Sequence, residues 1–237
     1  MSETLNLSRQ SALIPVDKIN EYTLKVFGVG SVGSHFVKVA VKSGFKNIEV
    51  YDMDTVEEEN IAAQAFDFEH LEMNKVDAMV DIAKRAAGVE IIPHHGRVDE
   101  KNPIEPEANV IYCCFFDSFE ARAMLFDMLK DMPVIFVDAR IGQYNMRHYL
   151  VEMDNKEQVE PYRESLNTTA VSELLCGEKA SAPINVQIAG KLVMNIINYV
   201  TGKDYSKAYI GNAEAPATDM NILVLRKKKE GEQSDAA

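Results

Sequence analysis

The sequence predicts an α/β fold: a Rossmann-like, doubly wound and mostly parallel sheet with an antiparallel C-terminal part. Three observations carry that expectation. A glycine-rich turn, Val26-Phe27-Gly28-Val29-Gly30-Ser31-Val32-Gly33, comes after a short apolar run and opens a segment with Phe36, Val37, Ala40 and Val41 at helical spacing. A second apolar run, residues 48–51, ends in Asp52, 24 residues after Gly28. Residues 110–116 and 133–137 are apolar throughout, as strands covered on both faces must be, and a helical segment at 119–129 separates them.

Taken in order, residues 1–20 form a mixed polar arm whose apolar patch, 12–14, ends at Pro15. The βαβ unit comes next. Gly28 permits the tight turn, Gly30 lets a phosphate approach the backbone, and Gly33 lets the helix pack close to the strand. The free N–H groups opening the helix, from Ser31 on, attract phosphates, and Asp52 at a strand end is suited to accept hydrogen bonds from ribose hydroxyls. Residues 60–69 have no clear period. A helix is expected over 71–87, from Val76, Met79, Val80 and Ala83, with Gly88 ending it. Residues 90–93 make a short strand candidate. The alternation of Met146, His148 and Leu150 within 144–153 suits an antiparallel strand or hairpin arm.

Residues 154–183 are polar and irregular and hold Pro161, Gly177 and Pro183; a loop of that length is expected to be functional or mobile. Ile188, Leu192, Ile196 and Ile197 mark the buried side of a helix over 184–200, closed by Gly202. Residues 221–225 read as a last strand, and the basic run 226–229 as its solvated end. The expectation is one domain over 1–237, with an arm at 1–20 and a polar tail at 227–237.

Bulk properties remove several functional classes. A net charge of -12 argues against a broad nucleic-acid surface, which needs clustered Lys and Arg. No apolar run has the length of a membrane span, and no secretory signal is visible at the N-terminus. Three cysteines, an odd number, suit a reducing compartment, so the expected location is cytoplasmic. His94 and His95 have no third ligand at metal spacing and read as a satisfied or surface pair.

A G-x-G-x-x-G turn alone is shared by dehydrogenases, flavoproteins and methyltransferases. The residues from Asp52 onward narrow the field. The run Asp52-Met53-Asp54-Thr55-Val56, then Asn60, Ala63-Gln64 and Asn74-Lys75, resembles the superfamily of ubiquitin-activating-enzyme-like adenylyltransferases, the ThiF/MoeB-like proteins. Their pattern is a glycine loop, D-x-D-x-V-x-x-x-N-x-x-R-Q, then G-K. Ser8-Arg9-Gln10 resembles their N-terminal S-R-Q. Asp117-Ser118-Phe119 with Arg122 resembles their D-N-F-x-x-R, and Pro183 to Gly202, through Lys191, resembles their closing helix.

The resemblance implies an enzyme that binds ATP with Mg²⁺ and adenylates the C-terminal carboxylate of a small β-grasp, ubiquitin-like or sulfur-carrier protein. It implies that Lys75 neutralises the ATP phosphates, that Asp117 holds Mg²⁺, and that Asp52, Asp54, Asn60 and Gln64 bind nucleotide beside Gly28, Gly30, Ser31 and Gly33. In homodimeric members an N-terminal arginine, here Arg9, reaches the partner's site, and some relatives have a thioester- or persulfide-forming cysteine near the position of Cys176. Each residue also has a plain alternative. Lys75 suits a solvated helix start, Asp117 or Ser118 a helix N-cap, Asn60 and Gln64 loop-ordering amides, Arg9 a surface arginine and Cys176 an incidental loop thiol. Cys113 and Cys114 read as buried packing.

Two departures stand out. Where the pattern has R-Q this chain has Ala63-Gln64, so a phosphate-binding arginine is missing, with Arg9, Lys84 and Arg85 as the substitutes to consider. The paired cysteines that hold structural zinc in many relatives are absent. These departures keep open a non-catalytic nucleotide-binding scaffold of the same fold, and the glycine loop with Asp52 alone keeps open an NAD-dependent oxidoreductase.

Overall fold

The computed structural model describes residues 5–99, 101–142, 144–166 and 181–212. The strands are β1 (Thr23–Phe27), β2 (Ile48–Asp52), β3 (Ile92–His95), β4 (Val110–Cys114), β5 (Ile135–Gly142), β6 (Asn145–Glu152) and β7 (Ala208–Asn212). They form one seven-stranded sheet in the order β3-β2-β1-β4-β5-β6-β7. Strands β1 to β5 pair in parallel, whereas β6 and β7 pair antiparallel, so the expected mixed architecture holds.

The helices are α1 (Val16–Ile19), α2 (Ser31–Ser43), α3 (Glu58–Ile61), α4 (Lys75–Ala87), α5 (Phe119–Met128), α6 (Lys156–Leu166) and α7 (Ala182–Val200). Successive strand residues point to opposite faces. Val26, Ile111, Cys113 and Val137 meet Val37, Val41, Met79 and Leu192 from α2, α4 and α7. Their neighbours Phe27, Tyr112, Cys114 and Phe136 meet Leu125, Phe126 and Tyr162 from α5 and α6. Both faces are covered, which is why these strands are apolar throughout. Cys113 and Cys114 are fully buried, one on each face, and burial pushes both thiols upward in pKa, as suits inert packing.

Several boundaries differ from the sequence reading, each for a local reason. Helix α4 starts at Lys75 because the preceding chain is not helical: Glu72 has φ +67° and Asn74 bridges to Thr55. Strand β3 lies two residues later than expected. Strand β5 runs on past Val137 through Asp138 and Arg140, charged residues that satisfy one another inside the protein. Residues 60–69 hold the end of α3 and a 3₁₀ turn, Phe68–His70. Within the stretch expected to be irregular, Lys156–Leu166 is a helix despite an interior proline, Pro161. Its signal was the spacing of Val159, Tyr162 and Leu166; the first two are buried and Leu166 packs against the same core. The last strand among the described residues is β7; the segment 221–225, the basic run and the tail lie outside them. Among the described residues no helix is long and apolar enough to cross a membrane.

Candidate nucleotide site

The order of the sheet places its topological switch between β1 and β4: the chain winds outward through β2 and β3, then returns to fill β4 and β5 on the other side. Ligands of open α/β sheets bind at the carboxyl ends of strands at that point. A cavity of about 890 Å³ lies there, lined among others by Gly28, Gly30, Ser31, Asp52, Asp54, Gln64, Lys75 and Asp117. A second concavity, at the opposite end of β5, is walled by Glu152, Asp154 and Glu157. With three carboxylates against one cation, Lys156, that wall disfavours phosphates.

The glycine loop has the geometry its spacing promised. Gly28 has φ +89°, and a Cβ there would stand 2.9 Å from the Phe115 carbonyl oxygen. A Cβ on Gly33 would stand 1.9 Å from the Gly28 carbonyl oxygen, so only glycine lets α2 close onto the loop. A Cβ on Gly30, by contrast, would meet nothing within 4 Å. The backbone is open to the cavity at the one glycine that phosphate approach requires. Ser31 begins α2, whose first N–H groups have no acceptor within the helix. Asp52 fastens the loop: its Oδ2 accepts from the Val29 N–H at 2.8 Å and its Oδ1 from the Asp54 N–H at 2.9 Å. Each oxygen keeps a lone pair for a further donor.

Asp54 sets Lys75 twice over. Its carbonyl accepts from the Lys75 backbone N–H at 2.9 Å, and its Oδ2 lies 2.9 Å from the Lys75 Nζ. Lys75 is buried in spite of opening a helix, which a merely solvated lysine is not. Gln64 lines the cavity, and its Oε1 is buried with no partner among the described residues. Asn60 takes the other role open to it: its Oδ1 accepts from the Glu57 N–H at 3.0 Å in a capping box, and it is not among the cavity residues.

Asp117 sits just past β4, exposed at the cavity wall. The N-cap of α5 is Ser118, whose Oγ accepts from the Ala121 N–H at 3.0 Å. The Asp117 carboxylate takes no hydrogen bond among the described residues and is left facing the cavity side. A hard, uncommitted carboxylate oxygen in this position fits a divalent cation.

The sequence reading missed the charge cluster beneath the site. Arg122, buried, donates to Asp138 and to the Phe116 carbonyl, and to the Ala139 carbonyl at 3.0 Å. Asp138, 0 % exposed, also accepts from Arg140 Nε at 2.6 Å and from the Tyr162 hydroxyl at 3.1 Å. Arg140 lies against the rings of Phe119, Tyr149 and Tyr162 at 5.0–5.3 Å. Burial pulls the Arg122 pKa down. Arg122 thus ties the loop after β4 to β5, fixing the wall that carries Asp117. Arg97, just past β3, also lines the cavity and was also missed.

Other expected residues lie elsewhere. Arg9 is exposed, and its neighbour Gln10 donates from Nε2 to the Lys42 carbonyl at 2.8 Å, at the far end of α2. That helix has 13 residues, so Arg9 is roughly 20 Å from its own chain's glycine loop. Arg85 is paired with Glu69 and Asp81, and neither it nor Lys84 lines the cavity. His94 bonds Glu49 at 2.8 Å and His95 bonds Asp77 at 2.9 Å, the satisfied pair anticipated. Cys176 lies outside the described residues.

The model of the ThiF family matches residues 6–234. The NEDD8-activating enzyme E1 catalytic subunit of Arabidopsis thaliana is 37% identical over 111 residues, 45% of this chain and 24% of that protein. The SUMO-activating enzyme subunit 2 of Dictyostelium discoideum is 37% identical over 84 residues, 35% of this chain and 13% of that protein. The chain thus spans about a quarter or less of the length of these curated relatives. Among solved structures, E. coli MccB with AMPCPP and MccA superposes at a TM-score of 0.69 and 15% identity, covering 97% of this chain and 75% of MccB. PaaA does so at 0.68 and 16%, covering 90% and 66%. At such identities these likenesses establish the fold alone. With the family match extending over nearly the whole sequence, the chain belongs to the ThiF family.

Proposed function

We propose that this chain binds ATP with Mg²⁺ and adenylates the C-terminal carboxylate of a small β-grasp protein, ubiquitin-like or a sulfur carrier. One observation carries the reading: the cavity at the sheet's switch point joins an open glycine loop to a fixed buried lysine and an uncommitted carboxylate. An oxidoreductase needs the loop and Asp52 but has no use for Lys75 and Asp117 in these places. The names of the relatives, NEDD8- and SUMO-activating enzymes, and the capture of MccB with AMPCPP and MccA, point the same way.

In this reading a carboxylate oxygen of the partner attacks the α-phosphorus of ATP. A new P–O bond forms, the bond to the β-phosphate oxygen breaks, and pyrophosphate departs with that electron pair. Asp52 holds the ribose, the Gly30–Ser31 backbone and Gln64 face the phosphates, and Lys75 offsets the charge that builds on the leaving group. Asp117 would hold Mg²⁺, which supplies further charge neutralisation at the phosphates. Calorimetric titration tests the ligand: ATP with Mg²⁺ is expected to bind more tightly than NAD, and tighter binding of NAD would sink the assignment.

Ala63 favours a second reading, a nucleotide-binding scaffold without catalysis. ATP binding without ATP–pyrophosphate exchange, in the presence of candidate carrier proteins, identifies it.

The position of Arg9 supports a homodimer, since an arginine at the distant end of α2 serves a site only in a second copy. Arg9→Ala and Lys75→Ala chains, each weak alone, are then expected to regain part of the exchange activity when mixed, because one composite site is intact. A monomer by light scattering removes this element of the proposal.

A further inference from the structure

The cations of the cavity differ in how far they are already committed. Three carboxylates line it, from Asp52, Asp54 and Asp117, beside the side chains of Lys75, Arg97 and Arg122. Lys75 is committed to Asp54. Arg122 is committed to Asp138 and two backbone carbonyls. Arg97 is exposed and makes no hydrogen bond, ion pair or ring contact among the described residues. A polyphosphate entering this cavity brings several negative charges, and of these cavity cations Arg97 alone can meet them without sharing itself with a partner among the described residues.

Its placement is set by the sheet. His95 pairs with Asp52 in the β2–β3 register, and the Gly96 N–H points to the Asp52 carbonyl at 3.4 Å. Gly96, at φ +105°, turns the chain so that Arg97 and Val98 line the cavity. Arg97 therefore shares a rim with Asp52 and Lys75. Within the chain the remaining substitutes do not reach the site: Arg85 is held by Glu69 and Asp81, neither it nor Lys84 lines the cavity, and Arg9 lies at the other end of α2, where it can serve only a second copy.

We propose that Arg97 replaces the missing arginine and binds the phosphates of the nucleotide, an inference that rests on ATP being the ligand of this site. A flexible, unpaired guanidinium is suited to this, because its fork of donors engages phosphate oxygens in pairs. Position 97 then carries the charge that position 63 lacks.

Calorimetry with ATP, inorganic triphosphate and adenosine tests the assignment. Arg97→Ala is expected to weaken ATP and triphosphate binding by about tenfold or more and to leave adenosine binding unchanged. Arg97→Lys keeps the charge and retains part of the affinity. Because Arg97 is exposed and unpaired, the melting temperature of the unliganded variants stays at the wild-type value. Unchanged ATP affinity in Arg97→Ala overturns the proposal and leaves the nucleotide reading standing, as does an equal loss for adenosine, which would place Arg97 on the sugar or base. Failure of the wild-type chain to bind ATP overturns both.

Discussion

Replacing Asp138 by alanine lowers the stability of the fold by about 3–5 kcal/mol, the usual cost of leaving a buried charge without its partner. The carboxylate is 0 % exposed and serves Arg122, Arg140 and the Tyr162 hydroxyl together. Removing it leaves two buried guanidiniums facing each other with only carbonyl, aromatic and Ser165 hydroxyl contacts. Water cannot reach them easily, because Arg122 and Arg140 are each 5 % exposed. Asp138→Asn keeps the shape and one acceptor oxygen but not the charge, so it is expected to fall between alanine and wild type. Urea denaturation of the three proteins measures the ranking. Equal midpoints for wild type and Asp138→Ala would mean that the guanidiniums find other partners, and the cluster would lose its role as the tie between β4 and β5. The double arginine also explains why a single carboxylate suffices only with help: the surplus positive charge is spread over three rings and the Ser165 carbonyl, to which Arg140 Nη1 donates at 3.0 Å.

Much of this architecture was legible in the sequence, and the remainder was hidden for common physical causes. The βαβ unit was readable because its constraints are local. A glycine that must turn, a glycine that must admit a helix and an acid at the next strand end all act within one supersecondary unit. Strands β4 and β5 declared themselves by unbroken apolarity, since both their faces are covered. The misreadings arise where a tertiary partner overrides local preference. Read locally, the charges of Asp138 and Arg140 end β5 at Val137; in the fold Asp138 pairs with the distant Arg122 as well as with Arg140, and the strand continues. Helix α6 survives an interior proline because Val159 and Tyr162 bury against α5 and the sheet. Cavity residues obey the same rule. Asp52, Lys75 and Asp117 could be singled out because each has a motif beside it. Arg97 has none, and placing β3 two residues early hid the fact that it starts a loop at the carboxyl end of a strand.

Asp117→Ala is expected to abolish ATP–pyrophosphate exchange, with a loss on the order of 10²-fold or more, while leaving the fold intact. Stability is spared because the cap of α5 belongs to Ser118, not to Asp117. The contrast is measurable: Ser118→Ala should cost about 1 kcal/mol in denaturation experiments, the typical worth of an N-cap, whereas Asp117→Ala should cost almost nothing. Activity is expected to fall because the pentavalent phosphorus and departing pyrophosphate carry charge that Lys75, already shared with Asp54, neutralises incompletely even with Arg97 beside it. On the proposed reading Asp117 would hold a divalent ion that supplies the remainder, so dependence on Mg²⁺ concentration should disappear in the variant along with the rate. Asp117→Asn separates charge from shape: it keeps a neutral oxygen at the same point, binds Mg²⁺ more weakly and recovers little activity. Wild-type exchange in Asp117→Ala would show that the carboxylate is only a solvated strand end, and the metal-binding assignment would fail with it.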